Sequence, residues 1–458
     1  MRRTILAFVV LAGAGGCKPG DFAAALDKAP VQVIDAPNGF GSNVGRTLLA
    51  VSPPADRAKV AGRLLFAGTD LPSLAVADFD GDGKPQVQTA SNDELANLGL
   101  PALPAGQSGN GQGGISSLAD SGTPGTILVG MPSVGRVGFL QLQADAGGTV
   151  TFSAAQPAVD GPAGETHFGL AVARGLLTQI AVDEPIVVAD NGVYLQNVTT
   201  GRLEPANCTD SLALPTPPDL HRSLAVGNFV DDGSGKQEIA IGLPVKGGVG
   251  QVFILQYGPN PGDPSVAAEL YCARGFGVPD PAGNPAVGGF GTALAVVPHA
   301  TGADDLVVGA PPDRAYLFYG DGVTPPKVFT NSNPSSEFGQ RVALVDIDGD
   351  GVKELAITAL QADVGDTKKA GQVLVYKLDG DGTTPIAIVY DSAPTANFEF
   401  FGIGLAELEF NSSRACPKGK DAHLLVAGSD SDIFTHFRFA GTADPSTALA
   451  PDPRCFAQ

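Results

Sequence analysis

Short apolar runs recur along the chain, each bounded by glycine, proline or aspartate. The runs at 342–345, 355–360, 372–376 and 386–390 follow one another closely. Their length, β-branched content and flanking turn formers predict buried strands rather than helices. The rhythm returns at starts near 73, 115, 168, 221, 290, 338 and 401, which gives seven copies. A unit repeated in this way predicts an array of similar sheets. Ahead of the first copy, the runs at 46–51 and 62–66 read as strands of a partial repeat that joins the last copy. Closure of that kind leaves no free sheet edge.

Between the first two runs of the copy at 338 stands Asp346-Ile-Asp348-Gly-Asp350-Gly351-Val-Lys-Glu354. Asp346, Asp348, Asp350 and Glu354 occupy loop positions 1, 3, 5 and 9 and can converge on one hard cation. Gly351 permits the tight turn, and the Val352 carbonyl can add a backbone oxygen. Six or more oxygens at a flexible site suit Ca²⁺ better than Mg²⁺. An EF-hand opens in the same way, but it needs an acid at position 12 and flanking helices. Position 12 is Ile357, inside a predicted strand, so a strand–Ca²⁺ loop–strand is expected. The alternative is a metal-free acidic turn, in which four crowded acids repel one another.

A weaker site is expected at Asp78, Asp80 and Asp82, with Lys84 standing where Val352 does and Gln86 at position 9. A third loop, one residue out of register, offers Asn228, Asp231, Asp232 and Glu238 and reads equally well as a site or as none. The other loops hold only Asp120, or His299 and Asp304, or no acid, and are expected to be metal-free.

Phe338-Gly339, the apolar run, the acidic loop and the second run together resemble the FG-GAP repeat of the integrin α-chain propeller. Thr358-Ala359-Leu360 stands where that family has Gly-Ala-Pro. A second copy supplies the motif, with Phe290-Gly291 followed by Asp305-Leu-Val-Val-Gly309-Ala310-Pro311 and the strand at 315–319. The resemblance implies an all-β fold, a β-propeller of seven blades with four antiparallel strands each, over residues 40–440. It also implies structural Ca²⁺ and a binding or adhesion role toward a protein or polysaccharide ligand. Packing alone accounts for the Phe, Gly and Pro of the motif: Phe between blades, Gly at close backbone approaches, Pro ending a strand.

Residues 1–17 read as an export signal, with Arg2 and Arg3 ahead of an apolar core at 5–11. Ala14-Gly15-Gly16-Cys17 resembles a bacterial lipobox, with Cys17 lipidated after cleavage; Lys18 after it points to the outer membrane or cell surface. The alternative is cleavage after Ala14, giving a soluble secreted or periplasmic protein. Residues 18–39 read as a tether and 441–458 as a tail. Setting Cys17 aside leaves Cys208, Cys272, Cys416 and Cys455, which can pair in three ways. Pairing of sequence neighbours, Cys208–Cys272 and Cys416–Cys455, is expected in an oxidising compartment.

A net charge of −20 argues against nucleic acid and anionic lipid as partners. Membrane contact is then expected only through the lipid, and the chain is expected to be a monomer. The five histidines form no HExxH or HxH spacing, no GxSxG elbow stands before a helix, and Trp is absent. A non-enzymatic role is therefore expected. The alternative, a polysaccharide hydrolase or lyase working in a central cleft, requires acids, His or Arg converging away from the Ca²⁺ loops.

Overall fold

The computed structural model describes residues 32–35, 37, 44–51, 60, 62–68, 73–79, 85–90, 92–100, 114–121, 125–144, 149–165, 167–178, 183–190, 192–196, 203–205, 223–244, 250–259, 268–276, 289–346, 352–378, 382–390, 400–410, 422–429 and 432–436. Strand β1 (Gln32–Asp35) comes first. A sheet follows of β2 (Thr47–Val51), β3 (Gly62–Gly68), β4 (Ser73–Phe79) and β5 (Pro85–Ala90). After helix α1 (Asn92–Asn97) come β6 (Ser117–Asp120), β7 (Thr126–Met131), β8 (Arg136–Ala144) and β9 (Val150–Asp160). The next sheet is β10 (Ala171–Gly175), β11 (Glu184–Val188), β12 (Val193–Gln196) and β13 (Leu203–Pro205). Then come β14 (Ser223–Gly227), β15 (Glu238–Leu243), β16 (Gln251–Gly258) and β17 (Glu269–Phe276). They are followed by β18 (Ala293–Val297), β19 (Asp305–Ala310), β20 (Arg314–Phe318) and β21 (Lys327–Thr330). The last strands are β22 (Phe338–Val345), β23 (Glu354–Ala359), β24 (Gln372–Tyr376), β25 (Ala387–Val389), β26 (Leu405–Phe410), β27 (Ala422–Gly428) and β28 (Asp432–His436).

Among the described residues these strands form seven four-stranded sheets. Six are built of consecutive strands, and the other runs β1-β28-β27-β26. Neighbouring strands pair antiparallel, as hairpin connections require. The fold is an all-β propeller of four-stranded antiparallel blades. Two compact units divide it: Met1–Gly68, Leu74–Thr89 and Thr330–Gln458 form one, Thr69–Ser73 and Ala90–Phe329 the other.

Burial explains why the apolar runs are continuous rather than alternating. In β3, β7, β15, β19 and β23 every residue is buried. Such a strand is covered on both faces, so both sets of alternate side chains are apolar. Within the second unit, Ile239, Ile241 and Leu243 of β15 meet Ile186, Val188 and Leu195 of the sheet before it. Ala240, which points the other way, joins Phe290, Leu306 and Val308 of the sheet after it.

Within the second unit the Phe-Gly pairs at 168 and 290 staple successive sheets. Phe168, Phe290, Phe338 and Phe401 are fully buried. Three of them meet a third-strand tyrosine edge-on: Phe168 with Tyr194, Phe290 with Tyr316 and Phe338 with Tyr376, at 5.5, 5.7 and 6.3 Å between ring centres. The glycine after the Phe is left-handed, with φ +89° at Gly291, a region closed to most side chains. A Cβ there would stand 2.8 Å from the Gln251 carbonyl oxygen, and one on Gly242 would stand 2.0 Å from the Gly291 oxygen. The Gly that ends the second strand of one blade thus admits the Phe-Gly backbone of the next.

Two expectations about the front of the chain are corrected. The runs at 46–51 and 62–66 belong to β2 and β3, which open a complete sheet with β4 and β5 rather than joining the last one. The strand that completes the last sheet is β1, inside the stretch read as a tether, and it pairs Gln32–Asp35 with Thr435–Asp432 of β28. Ile34 is buried there with Leu408, Val426 and Ile433. That contact gives β1 an apolar anchor and covers an otherwise open ladder edge.

Cys272 in β17 is disulfide-bonded; Cys17, Cys208, Cys416 and Cys455 lie outside the described residues. Among the described residues no helix is long and apolar enough to cross a membrane.

Candidate calcium-binding loops

The loop after Val345 joins β22 to β23. Val345 pairs with Glu354, so Asp346 and Lys353 open the turn side by side. Asp346 and Glu354 are both buried at its base, and Val352 is exposed at 55%. Asp348 and Asp350 lie outside the described residues. A further acid reaches this loop: Glu407 of β26 accepts from the Asp346 N–H at 3.0 Å and is bound by the Lys353 ammonium. Glu407 is 61 positions from Asp346, so loop spacing gave no sign of it. Ile357 is buried in β23, opposite Val342 and Leu374. A side chain in that position cannot turn back to a cation in the loop, and the strands on either side exclude the EF-hand arrangement. The two buried carboxylates at the base suit a hard cation that takes oxygen ligands.

The loop after Asp78 is placed differently from what its sequence suggested. It joins β4 to β5, the third and fourth strands of their sheet, rather than the first two. Asp78 is buried and its two oxygens are engaged by Arg63, with Nε at 2.6 Å and Nη2 at 2.8 Å. A guanidinium that fills both oxygens opposes a divalent cation on the same carboxylate. Asp80, Asp82 and Lys84 lie outside the described residues, and Gln86 is exposed in β5.

The third loop, between β14 and β15, does not gather its four candidates. Asn228 turns to Gly302, its Nδ2 donating to that carbonyl at 3.0 Å. Asp232 accepts from Ser234 N–H and from Gln256 Nε2, and Asp231 is exposed. Glu238 is fully buried, with Oε2 accepting from Phe229 N–H at 2.7 Å and Val230 N–H at 2.9 Å. Its Oε1 is buried without a hydrogen-bond partner among the described residues. Burial, with the charges of Asp232 and Asp304, pushes the Glu238 carboxyl up to about 7 against the two amide bonds. Among the described residues no three His, Cys, Asp or Glu side chains gather as metal ligands.

Glu238 belongs to a set that loop spacing obscured. Glu184, Glu238, Asp305 and Glu354 each begin the second strand of a sheet, and each is buried. Glu184 accepts from Thr178 N–H at 2.8 Å; Asp305 accepts from Gly320 N–H at 2.7 Å and meets His299 at 3.0 Å. In the sheets of Glu184, Glu238 and Asp305 the acid ties down loop amides that would otherwise lack a partner. The signal was an acid directly ahead of these four apolar runs.

Residues 338–376, from β22 through β24, match the family model described as the FG-GAP repeat. The chain carries an FG-GAP repeat. The matched stretch includes the Phe338-Gly339 pair and the whole Asp346 loop, so the repeat and the candidate loop are one structural unit. No curated protein matches the chain. Among solved structures, one titled "Crystal structure of BBS1N in complex with ARL6DN, soaked with lead" is similar at a TM-score of 0.46 and 11% identity, covering 90% of this chain and 98% of that one.

Proposed function

We propose that this FG-GAP propeller is an exported binding or adhesion module for a protein or polysaccharide ligand, held at the cell surface through lipid on Cys17. Calcium in this reading is a structural ion in the Asp346 loop, taken by Asp346, Asp348, Asp350, Glu354 and the Val352 carbonyl. The observation that carries the reading is the FG-GAP match on 338–376, laid over a loop with two buried carboxylates at its base. In this reading the ion lies between strands, where it stiffens a hairpin and leaves exposed loops to meet a ligand. A second, weaker ion at Asp80 and Asp82 must compete with Arg63 for Asp78. The disulfides Cys208–Cys272 and Cys416–Cys455 belong to the same exported reading, as does a monomeric state without an enzymatic role.

The test is one screen of two forms, wild type and Cys17→Ser, on glycan and protein arrays with calcium and with chelator. Wild type should partition into detergent and Cys17→Ser into the aqueous phase. Both should retain one shared ligand, more weakly under chelation. Turnover of an arrayed glycan, or no ligand under any condition, would reject the binding-module reading.

A further inference from the structure

The Asp346 loop is held from outside its own sheet. Glu407 of β26 makes both contacts: its Oε1 accepts from the Asp346 N–H at 3.0 Å, and its Oε2 takes the Lys353 ammonium. Asp346 opens the loop and Lys353 closes it, directly before Glu354. One carboxylate from the next sheet thus spans the base of the loop, where Asp346 and Glu354 are buried. β22 and β26 lie side by side within the first unit.

Other sheets show what the first of these contacts does. Leu176 is the first residue after β10, and its N–H donates to Gln237 Oε1 at 2.9 Å. Asn228 is the first residue after β14, and its N–H donates to Asp304 Oδ2 at 2.8 Å. Asp346 is likewise the first residue after β22. In all three the N–H stands just past the last ladder pair of its own sheet and needs an acceptor. The next sheet in the chain supplies it. The neutral amide of Gln237 serves as well as a carboxylate, so an oxygen within reach is what the contact requires.

Nor does the strand demand an acid at Glu407. It pairs with Leu425, and at the same register three other sheets carry Val226 opposite Ile239, Val296 opposite Leu306 and Leu344 opposite Leu355. A further carboxylate near Asp346 and Glu354 adds like charge, which the Lys353 ammonium offsets.

We propose that Glu407 is a positioning residue for the Asp346 loop, through which calcium in that loop tightens the sheet β1-β28-β27-β26 against its neighbour. The inference rests on the calcium reading given above. Both donors to Glu407 belong to the loop: one is the backbone of Asp346, and the other side chain directly precedes Glu354. With the Asp346 and Glu354 carboxylates fixed on one ion, both donors are fixed as well. The order then reaches β26 through Glu407 alone, without a ligand from that sheet. Coupling of this kind is reciprocal, so the contact strengthens ion binding by the factor that the ion strengthens the contact.

The experiment measures amide hydrogen exchange of the full chain in calcium chloride and in chelator, together with calcium titration by calorimetry. In wild type, calcium should slow exchange across β26 and β27 by about fivefold or more, with β14 to β17 as the unchanged reference. Glu407→Gln keeps an oxygen within reach of the Asp346 N–H and loses the charge; it should retain the slowing. Glu407→Asp keeps the charge and is one methylene too short; it should lose the slowing and bind calcium more weakly by a similar factor. Calcium bound by wild type without slowing in β26 and β27 would overturn the inference and leave the calcium reading standing, and that comparison needs neither variant. Slowing retained in Glu407→Asp, or lost equally in both variants, would also overturn it, because charge rather than reach would then govern. No calcium bound by wild type would reject the calcium reading itself, and this inference with it.

Discussion

Glu238 shows how one carboxylate can serve as a loop anchor and also carry a cost. Its Oε2 holds two loop amides, while its Oε1 is buried without a hydrogen-bond partner among the described residues. The folded chain therefore retains a proton that the unfolded chain releases between about 4.5 and about 7. A group with a raised folded pKa contributes stability that is present below the unfolded value and lost as pH rises through the folded one. Full ionisation corresponds to about 3 kcal/mol. With chelator present, wild-type stability should fall between pH 5 and pH 8, and Glu238→Gln should flatten that part of the profile. Parallel profiles for the two proteins would show that Glu238 stays ionised throughout. The glutamine keeps a carbonyl oxygen for the two amides and carries no charge to bury.

At the scale of the element, the unit is a hairpin with a loop of acids. The β22–β23 loop begins at buried Asp346 and ends at buried Glu354, whereas Asp78 is already neutralised by Arg63. An ion bound only by the folded loop adds about 1.4 kcal/mol when free calcium is tenfold above its dissociation constant. Extracellular modules bind at roughly 10⁻⁴–10⁻³ M, so the effect should appear at millimolar calcium. Chelation should lower the melting temperature, and Asp348→Ala should remove more of the calcium effect than Asp80→Ala. If chelated and calcium-loaded proteins melt together and calorimetry detects no bound ion, both loops are acidic turns.

At the scale of the whole molecule, the first unit depends on a contact between the ends of the described chain. β1 supplies the fourth strand of the sheet of β26, β27 and β28, and it buries Ile34 in their core. Deleting residues 32–35 removes that side chain and bares the β28 edge, at a cost of about 2–4 kcal/mol. The truncated chain should melt lower and show faster proteolysis near β28, followed by concentration-dependent association through the exposed edge. Unchanged melting and proteolysis would mean that β1 adds nothing to the sheet.

The strands, their antiparallel hairpins and the repeat itself could be read from sequence, because each is written in neighbouring residues. The run at 372–376 is β24 end to end, and Ile357 stands in a strand as its spacing required. Phe-Gly could be assigned to packing between sheets because a bulky ring beside a glycine has few other uses in an all-β repeat. What the tertiary structure decided was the partner of each group. That β1 completes the last sheet, that Arg63 occupies Asp78 and that Glu407 reaches Asp346 all join residues distant in the chain. Local sequence records which hydrogen bonds and charges a residue can offer. The folding of one sheet against another determines which of them are met.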